Sequence, residues 1–253
     1  MISFRSKQIE LEELYSKLIY DTEKYRLSDK NKDKDYVLFG GIAGRNYRHD
    51  GLMIIGRSPN GWHRYNLSHI GLFDGIDKLF DYPDKLTELK NNNKISKLWQ
   101  VLHGIGSALF GENWEQSIFY SNYCKLAPDE DSEPNGTPPK ELRNLEEDIC
   151  NQILNLELDV YCPKHIIAFT GCNVKDMDFS ERLMTCLLTY YLNEDFSGKS
   201  WPNPIKKMTW GNGHFVLEVY KINETYIYLS EHPDRKNVME HTDVLLKNLH
   251  TFL

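Results

Sequence analysis

Short apolar runs closed by turn-forming residues punctuate this chain. Leu52-Met53-Ile54-Ile55 runs directly into Gly56-Arg57-Ser58-Pro59-Asn60-Gly61. Ile118-Phe119-Tyr120 ends on Ser121-Asn122, and Tyr226-Ile227-Tyr228-Leu229 ends on Ser230-Glu231-His232-Pro233. An apolar run of this length that stops at glycine, proline or a polar residue reads as a buried strand entering a tight loop. Residues 165–170, closed by Gly171, have the same form. Residues 214–221 and 225–230 read as two strands of a hairpin through Ile222-Asn223-Glu224, and residues 36–39 as one more short strand.

Between these runs the apolar spacing is helical. Ile9, Leu11, Leu14, Tyr15, Leu18 and Ile19 mark a helix over residues 9–25. Ile95, Leu98, Trp99, Leu102, Ile105 and Leu109 mark another over 94–110, with Gly111 as its stop. A third is expected to open with Thr137 as N-cap and Pro138 at the first helical position, and to run to Val160. Its acidic first half suits a helix N-terminus. Residues 176–192 and 239–253 complete the set. Residues 27–35, 128–137 and 193–204 are polar loops, and 40–50 is a glycine-containing flexible loop. Residues 61–83 form a long irregular stretch rich in aromatics, a kind of loop usually tied to function or packed under its own side chains.

Helices alternating with short buried strands predict an α/β fold: a mostly parallel sheet covered on both faces. One domain is expected over residues 1–253, with residues 1–50 as a helical extension and loop packed on it. In such sheets ligands sit at the carboxyl ends of the strands. The three runs described first are therefore expected to converge on one pocket.

Composition adds constraints. The chain is 40% hydrophobic and 26% charged, with a formal net charge of −7, which argues mildly against non-specific nucleic-acid binding. Its distribution is uneven: Arg45, Arg48, Arg57 and Arg64 face only Asp50 between them. Cys124, Cys150, Cys162, Cys172 and Cys186 contain no CxxC pair, and no His/Cys cluster has zinc spacing. Free, mostly buried thiols are expected. The first residues carry charges throughout and no apolar h-region, and no apolar run approaches the length of a membrane span. A cytoplasmic protein without membrane contact is the expectation.

Taken in order, the three strand ends resemble the uracil-DNA glycosylase superfamily. Gly56-Arg57-Ser58-Pro59 is similar to its first motif, Gly-x-x-Pro after a strand. Ser121-Asn122-Tyr123-Cys124-Lys125-Leu126-Ala127-Pro128 resembles the Thr-Asn-x-x-Lys-x-x-Pro stretch of the iron–sulfur branch. The likeness continues through the Pro-initiated helix with Cys150 and Glu157, through Pro163 and the strand ending at Gly171, to His232-Pro233, which matches the His-Pro-Ser loop. It covers roughly residues 50–240. The iron–sulfur branch's N-terminal cysteine pair is absent, and Leu126 stands where that branch has another cysteine. Ser58 stands where several branches carry Asp or Asn, and Asp234-Arg235-Lys236 replaces the usual Ser-containing wedge.

The resemblance implies a three-layer α/β/α fold and a monofunctional DNA glycosylase. Such an enzyme excises a deaminated base, uracil or hypoxanthine, from single- or double-stranded DNA, with no metal or organic cofactor. Hydrolysis of an N-glycosidic bond needs a flipped-out base in a tight pocket, stabilisation of charge on the leaving base, and a positioned water. Asn122 carries a donor and an acceptor that can read a base edge. His232 can donate to a base carbonyl as charge develops there. Phe73, in Gly71-Leu72-Phe73-Asp74-Gly75, and Trp62 are candidate stacking platforms. Backbone amides of the loop from Gly56 to Gly61 could cradle an anion or the water, and Asn60 or Ser58 could hold that water. Neither is a base at neutral pH. Each residue also has a plainer use: Asn122 and His232 as a strand cap and a turn residue, Phe73 and Trp62 as core, Ser58 and Asn60 as loop hydrogen-bonders. A second reading therefore stands: a catalytically impaired nucleic-acid- or protein-binding module on the same fold. A third is an enzyme acting on a free nucleoside or nucleotide.

Overall fold

The computed structural model of the chain describes residues 4–28, 36–38, 40–58, 87, 91, 96–128, 138–170, 177–234 and 236–252. These fall into two compact units. The first comprises the described residues of Met1–Ile42, Gly56–Tyr82 and Ser121–Cys162; the second those of Ala43–Ile55, Pro83–Tyr120 and Pro163–Leu253.

In the first unit, α1 (Phe4–Arg26) packs against α3 (Lys140–Tyr161). Leu11, Tyr15 and Leu18 repeat at helical spacing on α1 and meet Leu142, Ile149, Ile153 and Leu156 of α3 in one buried cluster. A two-stranded antiparallel ladder, β1 (Tyr36–Leu38) with β5 (Leu126–Pro128), contributes Tyr36, Leu38 and Leu126 to the same cluster. Tyr15 is fully buried, and burial, with Glu157 second, holds its phenol well above the usual range.

The start of α3 corrects one expectation. Pro138 is not its first helical residue. Pro139 is the N-cap, with φ −54° and ψ 149°, and the helix begins at Lys140. A residue that precedes proline is pushed out of helical backbone, so Pro138 cannot open the helix while Pro139 follows it. Thr137 lies outside the described residues. At the other end Cys162 takes φ 44° and ψ 56°, and its N–H reaches Leu158 O at 2.9 Å, the left-handed cap that stops a helix.

Most residues of a seven-stranded sheet, in the order β2-β4-β3-β6-β9-β8-β7, belong to the second unit. The strands of the sheet are β2 (Ile42–Ala43), β3 (Leu52–Gly56), β4 (Ile118–Asn122), β6 (His165–Phe169), β7 (Lys206–Trp210), β8 (Phe215–Ile222) and β9 (Thr225–Ser230). β3 pairs parallel with β6, and β6 parallel with β9. Both β3 and β6 are buried along their whole length, which is why they read as unbroken apolar runs rather than alternating ones.

The sheet is mixed: β3, β6 and β9 are parallel neighbours, and β9-β8-β7 is antiparallel. A two-residue connection can only return a strand antiparallel. Asn223 makes that return from β8 to β9 at φ 53°, a left-handed conformation asparagine tolerates. β7 and β2 were not among the expected strands. The expected helix over 94–110 is α2 (Lys97–Phe110), and Gly111, at φ 80°, ends it as anticipated. α2 packs against α5 (Val238–Phe252), and α4 (Met177–Leu192) against β8. Gly104 makes the α2–α5 approach possible, because a Cβ there would overlap the Thr242 side chain. A short 3-10 turn, Trp114–Ser117, delivers Trp114 beside Trp99, which stacks on Tyr120 at 5.9 Å.

Candidate active site

The first motif and the middle motif are joined through backbone. Tyr123 N–H donates to Gly56 O at 2.9 Å, and Cys124 N–H to Arg57 O at 2.8 Å. Gly56 is buried, while Arg57 and Ser58 are half-buried. The loop that leaves β4 therefore lies along the loop that leaves β3, and Asn122 sits where the first of them begins. Asn122 itself is fully buried.

A closed ring of buried polar groups fixes that loop. Lys125 Nζ donates to Ser121 Oγ at 2.6 Å and lies 3.0 and 2.9 Å from the two carboxylate oxygens of Glu157. Ser121 Oγ donates in turn to Glu157 Oε2 at 2.8 Å. None of the three is more than 2% exposed. Charges are buried at tolerable cost only when paired and hydrogen-bonded in this way. Glu157 comes from α3, so the ring ties the loop to the helix. Tyr123 adds a second tie, its hydroxyl donating to Asn151 Oδ1 at 3.0 Å. Asn122 is thus the residue inside a segment held at Ser121, Tyr123, Cys124 and Lys125.

The same helix carries two further buried groups. Glu146 is 2% exposed, and neither carboxyl oxygen has a hydrogen-bond partner among the described residues. Burial pushes its carboxyl up to about 8, with Arg143 opposing. Cys150, one turn on, is fully buried; burial first and then Glu146 push its thiol up. It is a thiol rather than a thiolate, and so neither nucleophile nor ready metal ligand. Among the described residues no group of three or more His, Cys, Asp or Glu side chains could hold a metal ion.

The third motif belongs to the second unit. Ile55, Ala168 and Leu229 lie in register on adjacent parallel strands, and Ser230-Glu231-His232-Pro233 follows Leu229. Ser230 Oγ lies 2.8 Å from His241 Nε2, and both are fully buried. His241 stacks on Trp210 at 4.4 Å. Burial, then Lys236 and His232, lowers its imidazole to about 3, so it is a neutral anchor that holds the end of β9 to α5. Lys236 donates to His232 O at 2.5 Å and lies 3.9 Å from Glu231 Oε2 and 4.8 Å over the Phe215 ring. His232 Nδ1 is 3.1 Å from Asp234 Oδ2 and 3.4 Å from the Asp234 N–H. An Nδ1–H donated to Asp234 leaves Nε2 a donor only in the imidazolium; an Nδ1 that accepts the amide leaves Nε2–H free to donate in the neutral ring.

Of the residues singled out in the sequence, Gly56, Ser58 and Asn122 are placed in the first unit and His232 in the second. Pro59, Asn60, Trp62 and Phe73 lie outside the described residues. Arg45 and Arg48 are exposed ahead of β3. They are at the amino end of that strand, where Gly51 O accepts from the Lys164 and His165 amides, and not at the end leading to Gly56. Sequence patterning gave no site role to Lys236 or His241, read Glu146 only as part of the acidic first half of a helix, and gave Lys125 and Glu157 only as matches within the resemblance. Glu146 and Glu157 did leave a signal, since both fall beside the apolar stripe of α3. No described helix is long and apolar enough to cross a membrane. No family model matches the chain, and no curated protein matches it.

Proposed function

We propose that the chain is a DNA glycosylase of the uracil-DNA glycosylase type, built as a three-layer α/β/α domain and hydrolysing the N-glycosidic bond of uracil or hypoxanthine in DNA. The observation that supports this reading best is the strand register. Ile55 and Leu229 are level on parallel strands either side of β6, so Gly-Arg-Ser-Pro and Glu-His-Pro follow strands that point the same way. That is the edge at which open α/β sheets take ligands.

In this reading water adds its oxygen to C1′, the bond from C1′ to the base nitrogen breaks, and the base leaves as an anion that is then protonated. Asn122 hydrogen-bonds the base edge. Because the side chain is fully buried, a base reaches it only when it is uncovered. His232 donates from Nε2 to a base carbonyl oxygen as negative charge develops there. Phe73 or Trp62 stacks on the base, and Ser58 or Asn60 holds the water. A hydroxyl and a carboxamide do not take up a proton at neutral pH, so leaving-group stabilisation supplies most of the rate. Ser58 is also what favours the second reading, a module that binds a nucleic acid or a protein without hydrolysis.

The test is release of base from oligonucleotides holding one uracil or one hypoxanthine, single- and double-stranded, with alkali to cut abasic sites. Cleavage by the wild type that is lost in Asn122→Ala and in His232→Ala supports the enzyme. Cleavage that survives both substitutions places the chemistry elsewhere. No cleavage at high enzyme, with retained oligonucleotide binding, supports the module.

A further inference from the structure

A cavity of about 480 Å³ opens in the second unit. Its floor is sheet: Val216 and Glu218 of β8, Leu229 of β9 and Lys207 of β7. Lys207, Glu218 and Leu229 are register partners across three strands, so their side chains share one face. Ser180 and Glu181 of α4 form one wall, and Lys199 and Trp201 of the loop before β7 the other. The volume is that of a small-molecule site and suits one nucleoside-sized ligand.

The charges in the wall decide what fits. Lys207 Nζ is 2.6 Å from Glu218 Oε1, and Tyr220 donates to the other oxygen at 2.6 Å, so each oxygen of that carboxylate already has a partner. Lys199 is 2.6 Å from Glu194 and 5.5 Å from the Phe196 ring centre. Both cations are therefore already engaged by carboxylates, which disfavours a phosphate as the anchoring group. Glu181 is different. It has no hydrogen bond or ion pair among the described residues, and it lines the cavity with Trp201. Ser180, beside it, is held by the Thr170 hydroxyl at 3.0 Å, which fixes this turn of α4. A half-buried indole offers a flat face for stacking. An ionised carboxylate offers two acceptors and no donor.

The geometry points to a nucleobase subsite in this cavity, taking an uncharged planar heterocycle that stacks on Trp201 and turns two adjacent N–H groups toward Glu181, as guanine does with its N1–H and N2–H. This site is separate from the residues assigned to base excision and does not depend on that assignment. The base can come from a free nucleoside or from a nucleotide within a strand.

The test is equilibrium titration of the full chain, by calorimetry, with guanosine, adenosine, uridine, arginine and a short guanine-containing oligonucleotide. Guanosine is expected to bind best. Trp201→Ala is expected to weaken it about tenfold or more, the scale of one lost base–aromatic stack. Glu181→Gln, which replaces one acceptor by a donor, should remove the preference for guanosine over adenosine while stacking persists. Glu181 is exposed and Trp201 half-buried in a loop, so both variants are expected to fold, and circular dichroism checks that they do. Tight binding of the oligonucleotide with weak guanosine binding assigns the subsite to a strand; the reverse assigns it to a free nucleoside. Three results overturn the inference: no nucleoside binding at millimolar concentration, guanosine binding unchanged in both variants, or arginine bound better than guanosine.

Discussion

Lys125 and Glu157 form an ion pair with almost no solvent contact: Nζ lies 2.9 Å from one carboxylate oxygen, with the two side chains 0% and 2% exposed. Removing one partner leaves the other charge buried and unpaired, which costs about 3–5 kcal/mol. Lys125→Met and Glu157→Gln are each expected to lower stability on that scale in urea denaturation. The double variant Lys125→Met/Glu157→Leu should recover most of the loss, since an apolar pair of similar volume often replaces a buried ion pair at little cost. Equal and additive losses in the singles and the double contradict the coupling.

Glu146 makes stability depend on pH in an unusual direction. Its folded carboxyl is raised to about 8 by burial, whereas an unfolded glutamate ionises near 4.3. Below that value both states hold the proton and nothing is lost. Between there and about 8 only the unfolded state releases it, so stability falls as pH rises, by at most about 1.4 kcal/mol per pH unit. Glu146→Gln should flatten this part of the profile. Urea midpoints of wild type and variant at pH 5 and pH 8 measure it, and parallel profiles rule the effect out.

The buried imidazoles work the opposite way. Burial lowers His165 to about 4 and His241 to about 3. Both are neutral in the fold at pH values where an unfolded histidine, with its pKa near 6.5, already takes a proton. Their contribution is complete above that value and is lost as pH falls toward 4 and 3. In NMR titrations the ring resonances of both should stay constant from pH 7.5 to 5. A midpoint near 6.5 for either contradicts its burial.

Thiol reactivity should be graded by exposure. Cys162 is exposed, while Cys124, Cys150 and Cys186 are buried. Brief alkylation of the native protein, followed by peptide mass mapping, is expected to modify Cys162 and to leave Cys150 untouched until denaturant is added. Early labelling of Cys150 would mean that the α3 core opens readily.

How much of this was legible in sequence depends on how each element announces itself. β3, β6 and β9 each carry a continuous apolar or aromatic run and stood out. The hairpin of β8 and β9 was also visible, but its antiparallel extension to β7 was not. Lys206-Lys207-Met208-Thr209-Trp210 has no apolar run, because it is the outer strand of the sheet and only Trp210 is buried. β5 spans only Leu126–Pro128 and contains a proline, so it passed for the start of a loop. The acidic first half of α3 read as suited to a helix N-terminus, yet Glu146 within it is buried, as is Glu157 further along. Periodicity places a charged residue on a face but cannot show that Lys125, from a distant loop, meets it there. Of the proposed site, Gly56, Ser58, Asn122 and His232 can be described; Asn60, Trp62, Phe73 and Pro59 fall outside the described residues.

The antiparallel end of the sheet also sets a route for folding. Ile222 and Thr225 pair across a two-residue turn, so the β8–β9 hairpin closes with almost no loop entropy to overcome. Leu52 can meet His165 only after the long chain between them, α2, β4 and α3 included, has been brought round. Local contacts form in microseconds, whereas parallel pairing across long separations is slow. Sequence separation therefore favours the hairpin as the earliest of these pairings, with β6 joining it before β3. The Gly56–Ser58 loop, which β3 carries, accordingly reaches its final place after the hairpin.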